Sequence, residues 1–186
     1  MREERDSEDL LLMRSLVQGE ERALNALMEA WSGPLCAYLT RLLGDSATAL
    51  DLAQETFVRV YLKRCDFNPK YRFSNWLFTI AHNLAKNHFR WKERHPLTLS
   101  ETPPAPASDF SPSPRDHTIT LEKLGALQAA IHQLPTEMRE ALITATWHGM
   151  TVAEIARMQD TTEKAVELRL YRARKILREA LHEHLV

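Results

Sequence analysis

Between Tyr71 and Arg94 the chain sets aromatic rings among amides and cations: Tyr71, Phe73, Asn75, Trp76, Phe78, Asn83, Lys86, Asn87, Phe89, Arg90 and Trp91. Stacking planes interleaved with amide forks and positive charge are what is needed to hold unstacked bases beside a phosphate backbone. A packed helix accounts for some of these rings, with Trp76, Leu77, Ile80 and Leu84 filling a core, but not for the amides and arginines between them. The segment points to nucleic acid, and to single strands or a melted duplex. Asn83, Lys86, Asn87 and Arg90 fall three and four apart, so they share one face of a helix that can follow an exposed strand.

A second basic stretch, Lys164 to Arg178, carries Lys164, Arg169, Arg172, Arg174, Lys175 and Arg178 against Glu167. Taken alone, such a run is as often a solvated surface as a ligand site. Its setting raises its value. Thr151-Val152-Ala153-Glu154 has the form of a capping box that starts a short helix. Gln159-Asp160-Thr161 then makes a turn, and Thr162 caps a longer helix. On that helix Val166, Leu170, Ala173 and Leu177 lie on one face, with Arg169 and Arg172 on another. Short helix, tight turn and longer basic helix form a helix-turn-helix. Lys164, Ala165, Leu168, Arg169 and Arg172 are placed to reach base edges near the helix start and phosphates further along.

Other chemistries find no support. His82 and His88 are six apart and His182 and His184 two apart, neither a recognised ligand spacing, so no metal or other cofactor is expected. No Gly-rich phosphate loop, nucleophile elbow or paired carboxylates appear, and no intrinsic enzyme activity is expected.

The elements that must position these groups are helices, because apolar residues recur at helical rather than alternating spacing. Stripes run through Leu10, Leu11, Met13, Leu16 and Val17, ending near Gly19, and through Ala23, Leu24, Leu27, Met28 and Trp31, stopped by Gly33-Pro34. A third, Leu35, Tyr38, Leu39 and Leu42, closes at Gly44-Asp45. A fourth helix starts around Ser46 as N-cap, with Leu50, Ala53, Phe57 and Tyr61 on one face. Asp66 to Phe73 reads as a loop, after which Ser74 caps a long helix to about Lys92. Leu121, Leu124, Leu127, Ile131 and Leu134 form a stripe cut at Pro135; Met138, Ala141, Leu142 and Ala145 follow. Six of the nine prolines fall between His95 and Thr118, which predicts a flexible tether. The expected fold class is all-α: two small helical domains, 1–94 and 119–186, joined by a Pro-rich linker over 95–118.

Composition fits this. The chain has 186 residues, 44% hydrophobic and 26% charged, with a formal net charge of −1. Local basic surfaces on a near-neutral protein suit a factor that works inside a larger complex. Two cysteines, Cys36 and Cys65, without ligand spacing suggest a reduced cytosolic chain. No segment approaches the ~20 apolar residues of a membrane span, and the acidic N-terminus lacks a signal-peptide core. A cytoplasmic location without membrane insertion is expected.

The run from Asp51 through Glu55 and Phe57, with Asn75-Trp76-Leu77-Phe78, Ile80-Ala81-His82-Asn83 and the basic exit at Arg90 to Arg94, resembles region two of the extracytoplasmic-function group of bacterial sigma factors. Leu134 to Glu140, Gly149 to Ala156 and Ala165 to Arg174 resemble region four of the same group. The resemblance implies an alternative sigma factor that binds core RNA polymerase and directs initiation at −10 and −35 promoter elements. It implies that Asp51, Gln54, Glu55 and Arg59 contact the beta-prime clamp helices while Leu50, Ala53 and Phe57 serve as core. It further implies that Arg72, Phe73, Ser74 and Asn75 receive a base flipped from the −10 element, with Asn83, Lys86, Asn87 and Arg90 along the strand. The helix-turn-helix, through Lys164, Ala165, Leu168, Arg169 and Arg172, would read the −35 element. The beta flap and an anti-sigma factor are further implied partners, and the tether would pass near the RNA exit path.

The sequence departs from the commonest family pattern at the turn, where Asp160 stands for a small residue or glycine, and at Glu167-Leu168 after Val166. Aspartate tolerates left-handed backbone, so the turn survives. Glu167 would repel phosphate or accept a hydrogen bond from cytosine N4. Two rival readings are a free-standing helix-turn-helix regulator and an adaptor that binds polymerase without starting transcription.

Overall fold

The computed structural model describes residues 2–95 and 116–184, with side chains over 4–95 and 125–180. All regular structure among these residues is helical: α1 (Arg2–Val17), α2 (Glu21–Leu43), α3 (Ser46–Leu62), a 3-10 turn at Arg64–Asp66, α4 (Phe73–Arg94), α5 (Asp116–Gln133), α6 (Thr136–Trp147), α7 (Val152–Met158) and α8 (Glu163–His184). The all-α expectation holds. Two compact units form among the described residues, one holding residues 2–39 and 46–95, the other residues 40–45 and 116–184. The Pro-rich tether lies outside the described residues over 96–115, and its last expected residues, Asp116 to Thr118, open α5.

In the first unit α3 and α4 pack along their lengths and α1 closes over α4. Leu27, Leu35, Tyr38, Phe57, Val60, Leu77, Phe78 and Ala81 are buried between them. Rings meet edge-on at the centre, Tyr38 against Phe78 with centroids 5.2 Å apart and Trp31 against both Phe78 and Phe73. This geometry sets ring edges against electron-rich faces and adds to the gain from burial.

The expected break at Gly33-Pro34 does not occur: α2 is continuous, with Pro34 inside it. A proline at this place has no N–H for the carbonyl four residues back, that of Ala30. Arg5 supplies the missing donor, its Nη2 giving a 2.8 Å hydrogen bond to the Ala30 carbonyl oxygen. The same guanidinium lies 4.7 Å over the Trp31 ring, and the Trp31 Nε1–H donates to both carboxylate oxygens of buried Asp9 at 3.0 and 3.1 Å. A long-range partner therefore overrides the local breaker.

Two further expectations are corrected. Ser74 is not the cap of α4. The helix starts at Phe73, with Arg72 in extended conformation (φ −66, ψ 140) as its flanking residue and no side-chain cap bond. The cause is burial of the Phe73 ring, which packs with Trp31, Phe67 and Trp76 and draws the first turn inward. Leu50 does not join the core; it is 52% exposed, while Ala49, Ala53, Thr56, Phe57 and Val60 form the buried face of α3.

The second unit packs α6, α7 and α5 on α8. Ile131, Leu134, Ala141, Ile143, Ile155, Val166, Leu170 and Ala173 are its core. Arg139 on α6 gathers the end of α5: its Nη2 donates to the carbonyls of His132 and Leu134 at 2.6 and 3.1 Å. Carbonyls at a helix end lack internal partners, so this arginine closes the α5–α6 corner.

Candidate nucleic-acid interface

The α7–α8 corner is fixed by local bonds at both ends. The Thr151 Oγ1 accepts from the Glu154 N–H at 3.2 Å, and the Thr151 N–H donates to Glu154 Oε2 at 2.8 Å, the reciprocal pair expected of the capping box. At the far end of α7, Asp160 takes the left-handed backbone (φ 51). The Thr161 N–H then reaches the Ala156 carbonyl at 2.9 Å and the Asp160 N–H the Arg157 carbonyl at 3.4 Å, a closing pair that satisfies the last carbonyls. Thr162 Oγ1 accepts from the Ala165 N–H at 3.2 Å and starts α8. The helix-turn-helix is thus built with aspartate where a glycine would be easiest.

With Val166, Leu170, Ala173 and Leu177 buried, α8 turns Lys164, Glu167, Leu168, Tyr171, Arg172 and Lys175 to solvent, and Ala165 is half-buried among them. Tyr171 is 68% exposed. The sequence pattern does not single it out, though it continues the Lys164–Leu168 row at helical spacing. Arg169 stands apart from that row. Its Nη1 donates to Gln159 Oε1 at 2.9 Å and its Nη2 to Glu137 Oε2, and Gln159 Nε2 in turn donates to the buried Glu140 Oε2 at 3.3 Å. The guanidinium is engaged inside the unit, where it ties α8 to α6 and to the turn.

On α4 the structure sorts the predicted residues by depth. Asn83, Asn87 and Arg90 are exposed and Lys86 half-buried, on one outer face. Ser74 and Asn75 are half-buried in the first turn of the helix, where the Asn75 carbonyl accepts from Thr79 Oγ1 at 2.7 Å. Arg72 pairs with Asp6 of α1 at 3.0 Å. Phe73 is only 2% exposed and so is a packing residue rather than an open stacking plane. Ahead of α4, Asn68 Oδ1 accepts from the Lys70 N–H at 3.0 Å and the Asn68 carbonyl from the Tyr71 N–H, which shapes the loop that carries exposed Tyr71.

The outer face of α3 holds the third group. Asp51 and Gln54 are exposed, and Glu55 accepts from Arg59 Nε at 2.8 Å one turn on. Between them runs a row that the sequence pattern hides: Leu50, Gln54, Val58 and Leu62, each four apart and each turned outward, with Leu62 70% exposed. Apolar residues displayed at helical spacing with charged neighbours form a surface suited to a protein partner. Among the described residues no cluster of His, Cys, Asp or Glu could hold a metal ion, and no helix is long and apolar enough to cross a membrane.

One helical unit ends in a capped helix-turn-helix, and the other presents an amide- and cation-lined helix beside an exposed apolar row on α3. Comparison with known proteins gives the family. Residues 27–95 match the family model of sigma-70 region 2, and residues 124–177 that of sigma-70 region 4. The chain is 30% identical to the RNA polymerase sigma factor CarQ of Myxococcus xanthus over 171 residues, covering 92% of this chain and 96% of that protein. The solved structure of CnrH in complex with the cytosolic domain of CnrY superposes with a TM-score of 0.67 at 27% identity, covering 95% of this chain and 98% of that one. The sigma factor RpoE of Bartonella quintana, solved with the anti-sigma factor NepR, shares the fold at TM-score 0.69 and 23% identity, covering 85% and 96%. The chain belongs to the sigma-70 family, in its extracytoplasmic-function group, and is an alternative sigma factor that directs transcription initiation.

Proposed function

We propose that this sigma factor binds core RNA polymerase through the outer face of α3, sets α8 in the major groove of the −35 element, and holds melted −10 bases on the outer face of α4. In this reading Leu50, Val58 and Leu62 form the apolar centre of the contact with the beta-prime clamp helices, and Asp51, Gln54, Glu55 and Arg59 its polar rim. Lys164, Ala165, Leu168 and Arg172 face the −35 duplex; Arg169 sets the angle of α8 from within. Ser74 and Asn75 border the flipped base, with Arg72 fixing the loop and Phe73 packing beneath it, while Asn83, Lys86, Asn87 and Arg90 follow the strand. Bond making belongs to the polymerase, so the chain is not itself an enzyme, and its place of work is the cytoplasm. The beta flap is the partner proposed for the second unit. An anti-sigma factor is a further partner, a reading supported by the RpoE structure of the same fold, which was solved with the anti-sigma factor NepR.

The observation that carries this reading is the separation of faces on α4. Phe73, Leu77, Phe78, Ile80, Ala81, Leu84 and Ala85 take the packed side, while Asn83, Asn87 and Arg90 are turned away from the core. Base stacking contributes ~1–3 kcal/mol per base and extruding a base costs a few, so opening is near balance and needs no ATP hydrolysis. Run-off transcription with core enzyme, combined with permanganate footprinting, tests it. Asn75→Ala and Lys86→Gln should lower permanganate reactivity near the start site while co-elution with polymerase persists. Full opening by a folded Lys86→Gln, Asn87→Ala double variant would remove α4 from the strand path.

A further inference from the structure

The last turn of α4 carries more ring surface than packing uses. Trp91 is 43% exposed, and the His95 ring lies nearly parallel to it, with centroids 5.0 Å apart and planes at 22°. His88, one turn back along the helix, is tilted to it at 6.3 Å and 33°. The end of the helix fixes the stack: the His95 Nδ1–H donates to the Trp91 carbonyl at 3.0 Å, and the His95 backbone N–H reaches the carbonyls of Trp91 and Lys92. Arg90, Lys92 and Arg94 are all exposed around it, against the single acid Glu93.

Position adds the second argument. Asn83, Asn87, Trp91 and His95 follow one another at intervals of four, so the rings continue the amide row by two further turns, roughly 12 Å of helix axis from Asn83 to Trp91. We propose that Trp91, backed by His95, is a stacking platform for an unpaired nucleobase at the end of the strand path along α4. The ligand is a base rather than a phosphate alone, because a broad aromatic ring gains from stacking on another ring, whereas toward an anion the indole adds only a single N–H donor. It is nucleic acid rather than an apolar protein surface, because three cations surround the ring. The proposal rests on the reading of α4 as strand-binding and adds to it the kind of group bound and two residues outside the polar row.

The test uses the full chain and fluorescein-labelled oligonucleotides: dT20, a 20-mer of abasic sites with the same backbone, and a 20-base-pair duplex. Anisotropy titrations should show dT20 bound more tightly than the abasic strand. Trp91→Ala should weaken dT20 binding about five- to a hundredfold, the loss of one stacked base, and leave abasic binding unchanged. Trp91→Phe should recover most of the loss, and His95→Ala should give a smaller one. Trp91 is exposed, so these variants should melt as the wild type does, which circular dichroism checks. The proposal is overturned if wild-type protein does not distinguish dT20 from the abasic strand. It is also overturned if Trp91→Ala matches wild type on dT20, an outcome that would assign the rings to a protein partner. The open-complex assay judges the α4 reading separately: loss there with Lys86→Gln but none here with Trp91→Ala sinks only the platform.

Discussion

Asp9 is a carboxylate held at 2% exposure by a tryptophan N–H. Burial pushes its pKa above the ordinary carboxylate value, against the hydrogen bond from Trp31 and the nearby charge of Arg5, which pull it down. A raised folded pKa means the folded chain binds this proton more tightly than the unfolded chain does. The ionised group therefore subtracts from stability above the folded pKa, and the penalty fades as pH falls toward about 3.9. Asp9→Asn keeps an acceptor for the indole and removes the charge, so its melting temperature at pH 7 should equal or exceed that of wild type, with the margin shrinking toward pH 4. Asp9→Ala leaves the indole N–H unpaired and should cost about 1–2 kcal/mol. Equal losses for both at pH 7 would show that the charge itself is needed. Arg169 gives the second test at this scale. If Arg172 holds a phosphate as proposed, Arg172→Gln should reduce the slope of log affinity against log salt by about one. Arg169→Gln should weaken holoenzyme binding to duplex with the slope intact, and should couple to Glu137→Gln in a double-mutant cycle. A slope change from Arg169→Gln equal to that from Arg172→Gln would return it to the DNA surface. Helical spacing alone puts Arg169 on the DNA, because its partner Glu137 is 32 residues away and leaves no local trace.

Among the elements, α2 makes the sharpest prediction. Pro34→Ala restores the N–H that Ala30 lacks and should raise stability by roughly 1–2 kcal/mol, less than the usual ~3 for an interior proline because Arg5 already serves that carbonyl. Arg5→Ala should then cost less in the Pro34→Ala background than in wild type; additive losses in urea melts would mean the two are unconnected. This is also where the sequence was least legible. Gly33-Pro34 is a sound local stop signal, and only a side chain from α1 cancels it. Ser74 misled in the same way, since a good cap residue lost to the burial of its neighbour Phe73. Leu50 fitted a plausible stripe with Ala53 and Phe57, yet the true buried face is rotated toward Ala49, Thr56 and Val60. By contrast, the capping box at Thr151, the left-handed Asp160 and the Thr162 cap were readable, because each is settled within five residues. Depth was the hard part of the site: aromatic rings are equally at home in a core and under a base, and spacing alone could not separate Phe73 from Trp91.

For the molecule as a whole, the proposed labour is divided by surface, so the losses should separate. Val58→Asp, on an exposed face of α3, should lower co-elution with core polymerase more than about tenfold with helicity unchanged. Lys86→Gln should leave co-elution intact and fail at opening. A Val58→Asp protein that still co-elutes would move the docking surface elsewhere. Arg5 and Pro34 extend this to the chain's earliest residues. The middle of a 23-residue helix is completed by a side chain borrowed from the fifth position. Deleting Arg5 and its neighbours is therefore an edit to the backbone of α2 well downstream, and should register as a bend or fraying near Ala30 long before anything on α4 or α8 is touched.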